Sequence, residues 1–119
     1  GGDVMTLLSQ DARLPESTVQ SFGLDIIAGL QYVHSKGLLF CDLKPSNLLI
    51  DEYGIVKLGD FGNSRRIPQP GDADAVAHLA ASAKRGSPTY MAPELFADGG
   101  LPSFASDLWS LGCVLYELA

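Results

Sequence analysis

The chain has 119 residues, enough for one domain or part of one, and 46% of them are hydrophobic, enough to support a core. Fourteen Asp and Glu residues against eight Lys and Arg give a net charge of −6, which argues against non-specific binding to nucleic-acid phosphates. No apolar run reaches the ~18 residues of a membrane span, so neither nucleic acid nor membrane is an expected partner.

Gly1-Gly2 reads as a turn ahead of a short helix over about 3–10. Pro15 suits the first turn of a second helix, and Glu16 suits its positive dipole end. Val19, Phe22, Ile26, Leu30 and Val33 then recur at helical steps to about Lys36, with Gly37 as the C-terminal cap. Leu48–Ile50 and Ile55–Leu58 are strand candidates, and Asp51-Glu52-Tyr53-Gly54 between them signals a hairpin turn. From Pro68 to Arg85 the composition shifts to Pro, Gly, Asp and Ala, the pattern of a mobile loop with a helical turn around 75–83. Met91–Phe96 reads as a short helix. Ser103 or Ser106 caps a longer one from Phe104, whose apolar positions run nearly all round and predict burial on every side. Cys41 and Cys113 lie far apart among apolar neighbours, so reduced, buried thiols are expected, which fits the cytosol or nucleus, with a cytoplasmic setting as the reading taken. Both chain ends read as cuts through a longer protein, so no leader sequence can be judged.

The stretch Cys41-Asp42-Leu43-Lys44-Pro45-Ser46-Asn47 carries the chemistry. Asp42 alone is an ordinary loop carboxylate. With Lys44 two residues on and Asn47 five residues on, one short loop offers a base-like carboxylate, a cation for a transferring phosphate and a carboxamide oxygen for a hard metal ion. Asp60-Phe61-Gly62 follows the hairpin and adds a second oxygen ligand, and Gly62 allows a sharp turn. This order and spacing match the signature set of phosphoryl-transfer enzymes acting on proteins.

On these residues the chain resembles the C-terminal lobe of a eukaryotic protein kinase along essentially its whole length. Residues 40–47 resemble the catalytic loop, Asp60-Phe61-Gly62 the magnesium-binding triplet, Ala92-Pro93-Glu94 the end of the activation segment, and Asp107–Gly112 the start of the central buried helix. The resemblance implies an α+β protein-kinase-like fold: a mostly helical C-lobe with a small β-hairpin, spanning 1–119 as a partial domain without its N-lobe, with an activation segment at 60–94. It implies ATP and Mg²⁺ as cofactors and a protein substrate. Asp42 would orient the substrate hydroxyl, Lys44 contact the γ-phosphate, and Asn47 and Asp60 hold the metal. Ser87 would hydrogen-bond both Asp42 and Lys44; its plainer reading is a turn serine. Asp3 falls at an acidic ribose contact and Leu49 on the adenine floor; their plainer readings are a helix-start carboxylate and a hairpin core residue.

Lys44 and Gly86-Ser87-Pro88-Thr89-Tyr90-Met91 resemble Ser/Thr rather than Tyr kinases. Met91 and Ser46 support neither a proline-directed nor a basic-substrate preference. Leu14-Pro15-Glu16, Phe40-Cys41-Asp42 and Phe104–Trp109 with Gly112–Leu118 resemble the Fused/unc-51-like branch, and within it the plant Runkel-type kinases, which are linked to microtubules and cell-plate formation. That likeness implies a cytoskeletal partner and placement. Some relatives in the branch are pseudokinases, so a scaffold without turnover is the alternative function. A small-molecule phosphotransferase is disfavoured by Lys44 and by Ala92-Pro93-Glu94. Cys41 stands where most kinases place an Arg that pairs with a phosphorylated activation loop, which makes this a non-RD sequence. Activity is therefore expected to be independent of phosphorylation read through that position, with Ser64 and Ser82 as the candidate acceptors. Phe40 replaces a His and is expected to pack under Phe61. Arg65, Arg66, Lys84 and Arg85 read as a solvated basic rim.

Overall fold

Helix α2, Glu16–Ser35, is the spine on which the other elements assemble. The computed structural model describes residues 2–10, 13–83 and 86–119; the readings made for Gly1, Lys84 and Arg85 lie outside them. Phe22, Ile26, Leu30 and Val33 are buried along one face of α2, as the three- and four-residue spacing predicts. Pro15 stands one position earlier than expected, as the N-cap, and Gly37 follows the C-cap in the left-handed region at φ 75°. Gly23 lets the final helix come close: a Cβ there would stand 3.2 Å from a methyl of Leu115.

Ahead of α2, α1 spans Val4–Ser9 and is capped by the Asp3 side chain, which accepts from the Thr6 N–H at 2.7 Å. After α2 come β1 (Leu38–Leu39), β2 (Leu48–Ile50), β3 (Val56–Leu58) and β4 (Arg65–Arg66). β2 and β3 form the expected antiparallel hairpin, with Leu48 opposite Leu58 and Ile50 opposite Val56. Ile55 belongs to the turn, where the Asp51 carboxylate accepts from the Tyr53 and Ile55 N–H groups. β1 and β4 form a second antiparallel pair that the sequence did not announce. Strands of two residues carry no readable alternation.

Three expectations are corrected. The segment expected to be a mobile loop with a helical turn around 75–83 holds more than a turn: a ten-residue helix, α3 (Ala73–Ser82), capped by Asp72, whose side chain accepts from the Ala75 N–H. Alanine's helix propensity and that cap outweigh the flanking Pro and Gly. Met91–Phe96 is not a continuous helix but a 3-10 turn at Pro93–Phe96, preceded by another at Pro88–Tyr90. The final helix, α4 (Phe104–Leu118), is not buried all round. It buries Asp107, Leu111, Val114 and Leu118 but exposes Leu108, Trp109 and Tyr116, because no described element packs on that side. The cap itself joins both candidates: Ser103 caps α4 and Ser106 returns the bond to the Ser103 N–H, forming a capping box.

The main core joins Phe22, Ile26 and Leu30 of α2 to Phe40, Leu43, Leu48 and Val56, and to Leu111, Val114 and Leu118 of α4. The loop after β1 is thus pinned between the two long helices. Among the described residues no helix is long and apolar enough to cross a membrane.

Candidate functional site

Residues 40–47 leave β1, reach an extended Lys44 and close in a 3-10 turn at Pro45–Asn47. Phe40, Leu43 and Leu48 anchor the loop in the core. From the other side the Asp107 carboxylate, only 2% exposed, accepts from the Phe40 N–H at 2.8 Å and the Cys41 N–H at 2.9 Å. His34 of α2 shares the same carboxylate at 2.8 Å and stacks on Phe104. These bonds hold Cys41 at φ 70°, a region that costs a non-glycine residue about 1–2 kcal/mol. The strained residue sits immediately before Asp42.

Asp42 is buried and densely bonded. The Asn47 amide nitrogen donates to the Asp42 backbone carbonyl at 2.8 Å and to its Oδ2 at 3.2 Å. The Asn63 amide nitrogen donates to the same Oδ2 at 2.9 Å, and the Lys44 ammonium lies 3.6 Å from it. Lys44 also donates to the Ser87 hydroxyl at 3.0 Å. Ser87 thus joins Lys44 as expected, but no bond ties it to Asp42: Asn47 and Asn63 supply the amide donors to that carboxylate.

The hairpin returns the chain to this loop. The Gly59 N–H donates to the Asn47 carbonyl at 2.8 Å, which puts Asp60 beside Asn47. Asp60 is exposed, has φ 57° and accepts from the Gly62 N–H, opening a 3-10 turn at Phe61–Asn63. The Phe61 ring meets Phe40 edge-on, 5.3 Å between centroids, so Phe40 does fill the position expected of it. Leu49 and Asp3 pair across an isolated antiparallel bridge. Leu49 is about half exposed, which overturns its reading as a hairpin core residue. Asp3 is indeed a helix-start carboxylate, and it stands beside Leu49 on the same open surface.

Both cysteines are free, and both are half-buried rather than buried. Burial, with the Asp107 carboxylate adding to it, pushes the Cys41 thiol up to about 12, so it stays neutral. Ser64 and Ser82 are half-buried, and their hydroxyls donate to the carbonyls of Phe40 and Leu79. The Tyr90 hydroxyl donates to Glu117 on α4, and burial followed by that carboxylate raises its phenol to about 12. Sequence reading missed Asn63, His34 and the Tyr90–Glu117 pair. Only Asn63 carried any signal, its place directly after Asp60-Phe61-Gly62; the others are made by partners dozens of residues away.

A family model described as the protein kinase domain matches residues 1–119. The chain belongs to the protein kinase family. Serine/threonine-protein kinase RUNKEL of Arabidopsis thaliana is 56% identical over 117 residues, covering 98% of this chain and 8% of that protein. Mouse serine/threonine-protein kinase ULK4 is 40% identical over 134 aligned residues, covering 99% of this chain and 10% of the relative, in keeping with the Fused/unc-51-like resemblance. Mitogen-activated protein kinase kinase kinase ANP1 of Arabidopsis thaliana is 35% identical over 118 residues, 99% of this chain and 17% of its own. The chain therefore spans less than a fifth of each of these three relatives. The helical body with a small hairpin is what the kinase resemblance implied.

Protein kinases generally use ATP and Mg²⁺. Asn47 spends its nitrogen on Asp42, which leaves its amide oxygen for a cation, and Asp60 offers an exposed carboxylate beside it. Among the described residues no three His, Cys, Asp or Glu side chains cluster to hold a metal. A sparse pair of hard oxygen donors suits Mg²⁺, which usually takes one or two protein ligands and completes its shell with phosphates and water.

Proposed function

We propose that residues 1–119 form the C-lobe part of an ATP-dependent Ser/Thr protein kinase domain, from the end of the hinge through the central helix, with residues 60–94 as its activation segment. The observation that carries this reading is the bonded cluster of Asp42, Lys44 and Asn47, with Asp60 delivered beside it by the Gly59–Asn47 bond. Asp42 orients the acceptor hydroxyl and takes up its proton as that oxygen bonds the γ-phosphorus and the bond from phosphorus to the β,γ-bridging oxygen breaks, releasing ADP. Lys44, steadied by Ser87, offsets charge on the moving phosphoryl group. Asn47 and Asp60 hold Mg²⁺, which when bound neutralises phosphate charge. Asp3 and Leu49, adjacent on the open surface, receive the ribose and the adenine. Lys44 and Ser87 favour Ser and Thr as acceptors over Tyr, by likeness to that group of kinases.

Asp60→Asn in the full gene product tests the reading. Transfer of labelled γ-phosphate to a generic protein substrate should fall by on the order of 100-fold or more. Equal rates for wild type and variant would favour the scaffold alternative.

Regulation follows from Cys41. Its thiol is neutral and cannot pair with a phosphate, and Ser82 lines the same small cavity as Cys41 and Asp107. α3 docks instead by packing: Leu79 is buried, and Ala83 joins Met91, Ala92 and Leu95 in a second cluster. Phosphatase treatment of the full gene product should leave turnover within about twofold, well under the ~1.4 kcal/mol that a tenfold change represents. A large loss mapping to Ser64 or Ser82 would sink this account.

A further inference from the structure

Asn63 has no role in the chemistry described so far, yet its amide makes the shortest contact to the Asp42 carboxylate. Its nitrogen donates to Oδ2 at 2.9 Å, against 3.2 Å from Asn47 and 3.6 Å from Lys44. All three contacts fall on one oxygen, and none of them falls on Oδ1. A carboxylate on its own rotates easily, because its terminal torsion is broad. Two directed amide donors on the same oxygen remove that freedom and leave Oδ1 as the acceptor for an incoming hydroxyl.

The contact also links two parts of the site that the backbone keeps apart. Asn63 closes the 3-10 turn that Asp60 opens, and Asp42 lies 21 residues earlier. The turn touches the loop at two points, Phe61 on Phe40 and Asn63 on Asp42. The first contact is apolar and non-directional. The second is directional and reaches the reacting group itself, so it sets the register between Asp60 and Asp42.

We propose that Asn63 is a positioning residue for phosphoryl transfer, fixing which oxygen of Asp42 meets the acceptor hydroxyl and tying that oxygen to the turn that presents Asp60. The proposal rests on the kinase reading given above. Loss of one of two directed donors leaves the base present but poorly aimed, so the effect falls on turnover rather than on nucleotide affinity.

The test uses the full gene product with Asn63→Leu, similar in shape but without the donor, and Asn63→His, whose ring Nδ1 lies as many bonds from Cα as the Asn amide nitrogen. In Asn63→Leu, kcat should fall about tenfold while KM for ATP stays within about twofold and the melting temperature is unchanged. Asn63→His should recover a substantial part of kcat. A wild type that turns over normally with an Asn63→Leu variant equal to it overturns the Asn63 role and leaves the kinase reading intact. A fall in kcat matched by a fall in melting temperature, with no recovery in Asn63→His, assigns Asn63 to folding alone and also overturns it. A wild type without turnover overturns the kinase reading, and the Asn63 role with it.

Discussion

Asp107→Ala should cost the kinase unit about 3–5 kcal/mol of stability, the range for removing one partner from a buried charged network. Asp107 is 2% exposed and accepts from the Phe40 N–H, the Cys41 N–H and His34. Alanine leaves the two main-chain donors without their acceptor, and a buried group stripped of its partner loses about 1–3 kcal/mol. The strain at Cys41 then has nothing to hold it, so the loop relaxes and carries Asp42 out of place. The melting temperature of the full gene product's kinase unit should drop by on the order of 10 °C, with turnover lost in step. Asp107→Asn keeps one acceptor oxygen and should fall between the two. An unchanged melting temperature in Asp107→Ala would show that the loop is held by the packing of Phe40 and Leu43 instead.

The contrast between Asp107 and Asp42 explains which parts of the molecule could be read in advance. Asp42, Lys44 and Asn47 share one short loop, and their spacing alone identifies a set of groups with a common task. The hairpin and α2 were equally legible, because alternation, helical spacing and a glycine cap are local signals. The β1–β4 pair and the His34–Asp107 contact are written in no local pattern: the first joins strands on either side of the hairpin, and the second exists only because α2 and α4 pack together. α4 misled in the opposite direction. Its apolar residues run round the whole helix, yet Trp109 and Tyr116 lie on a face that no described element covers. Ser87 bonds Lys44 but not Asp42, whose carboxylate accepts instead from Asn47 and from Asn63, a residue the sequence does not single out.

Asp42→Asn should separate chemistry from folding most cleanly. The substitution keeps the shape of the side chain and leaves one oxygen to accept from Asn47 and Asn63, so the loop should persist and the melting temperature should move little. What it loses is the group proposed to take the proton. General-base contributions are typically ~10²–10⁴-fold, and a thousandfold loss corresponds to about 4 kcal/mol of transition-state stabilisation. The expected result is therefore a kcat for γ-phosphate transfer lower by about three orders of magnitude, with KM for ATP nearly unchanged, because the role proposed for Asp42 is toward the acceptor rather than the nucleotide. The loss should exceed the tenfold expected of Asn63→Leu by a wide margin, since removing a base costs more than misaligning it. Steady-state kinetics on the full gene product decide the matter. An Asp42→Asn variant within tenfold of wild type would mean that another group takes the proton, and that the buried carboxylate serves only to organise the loop.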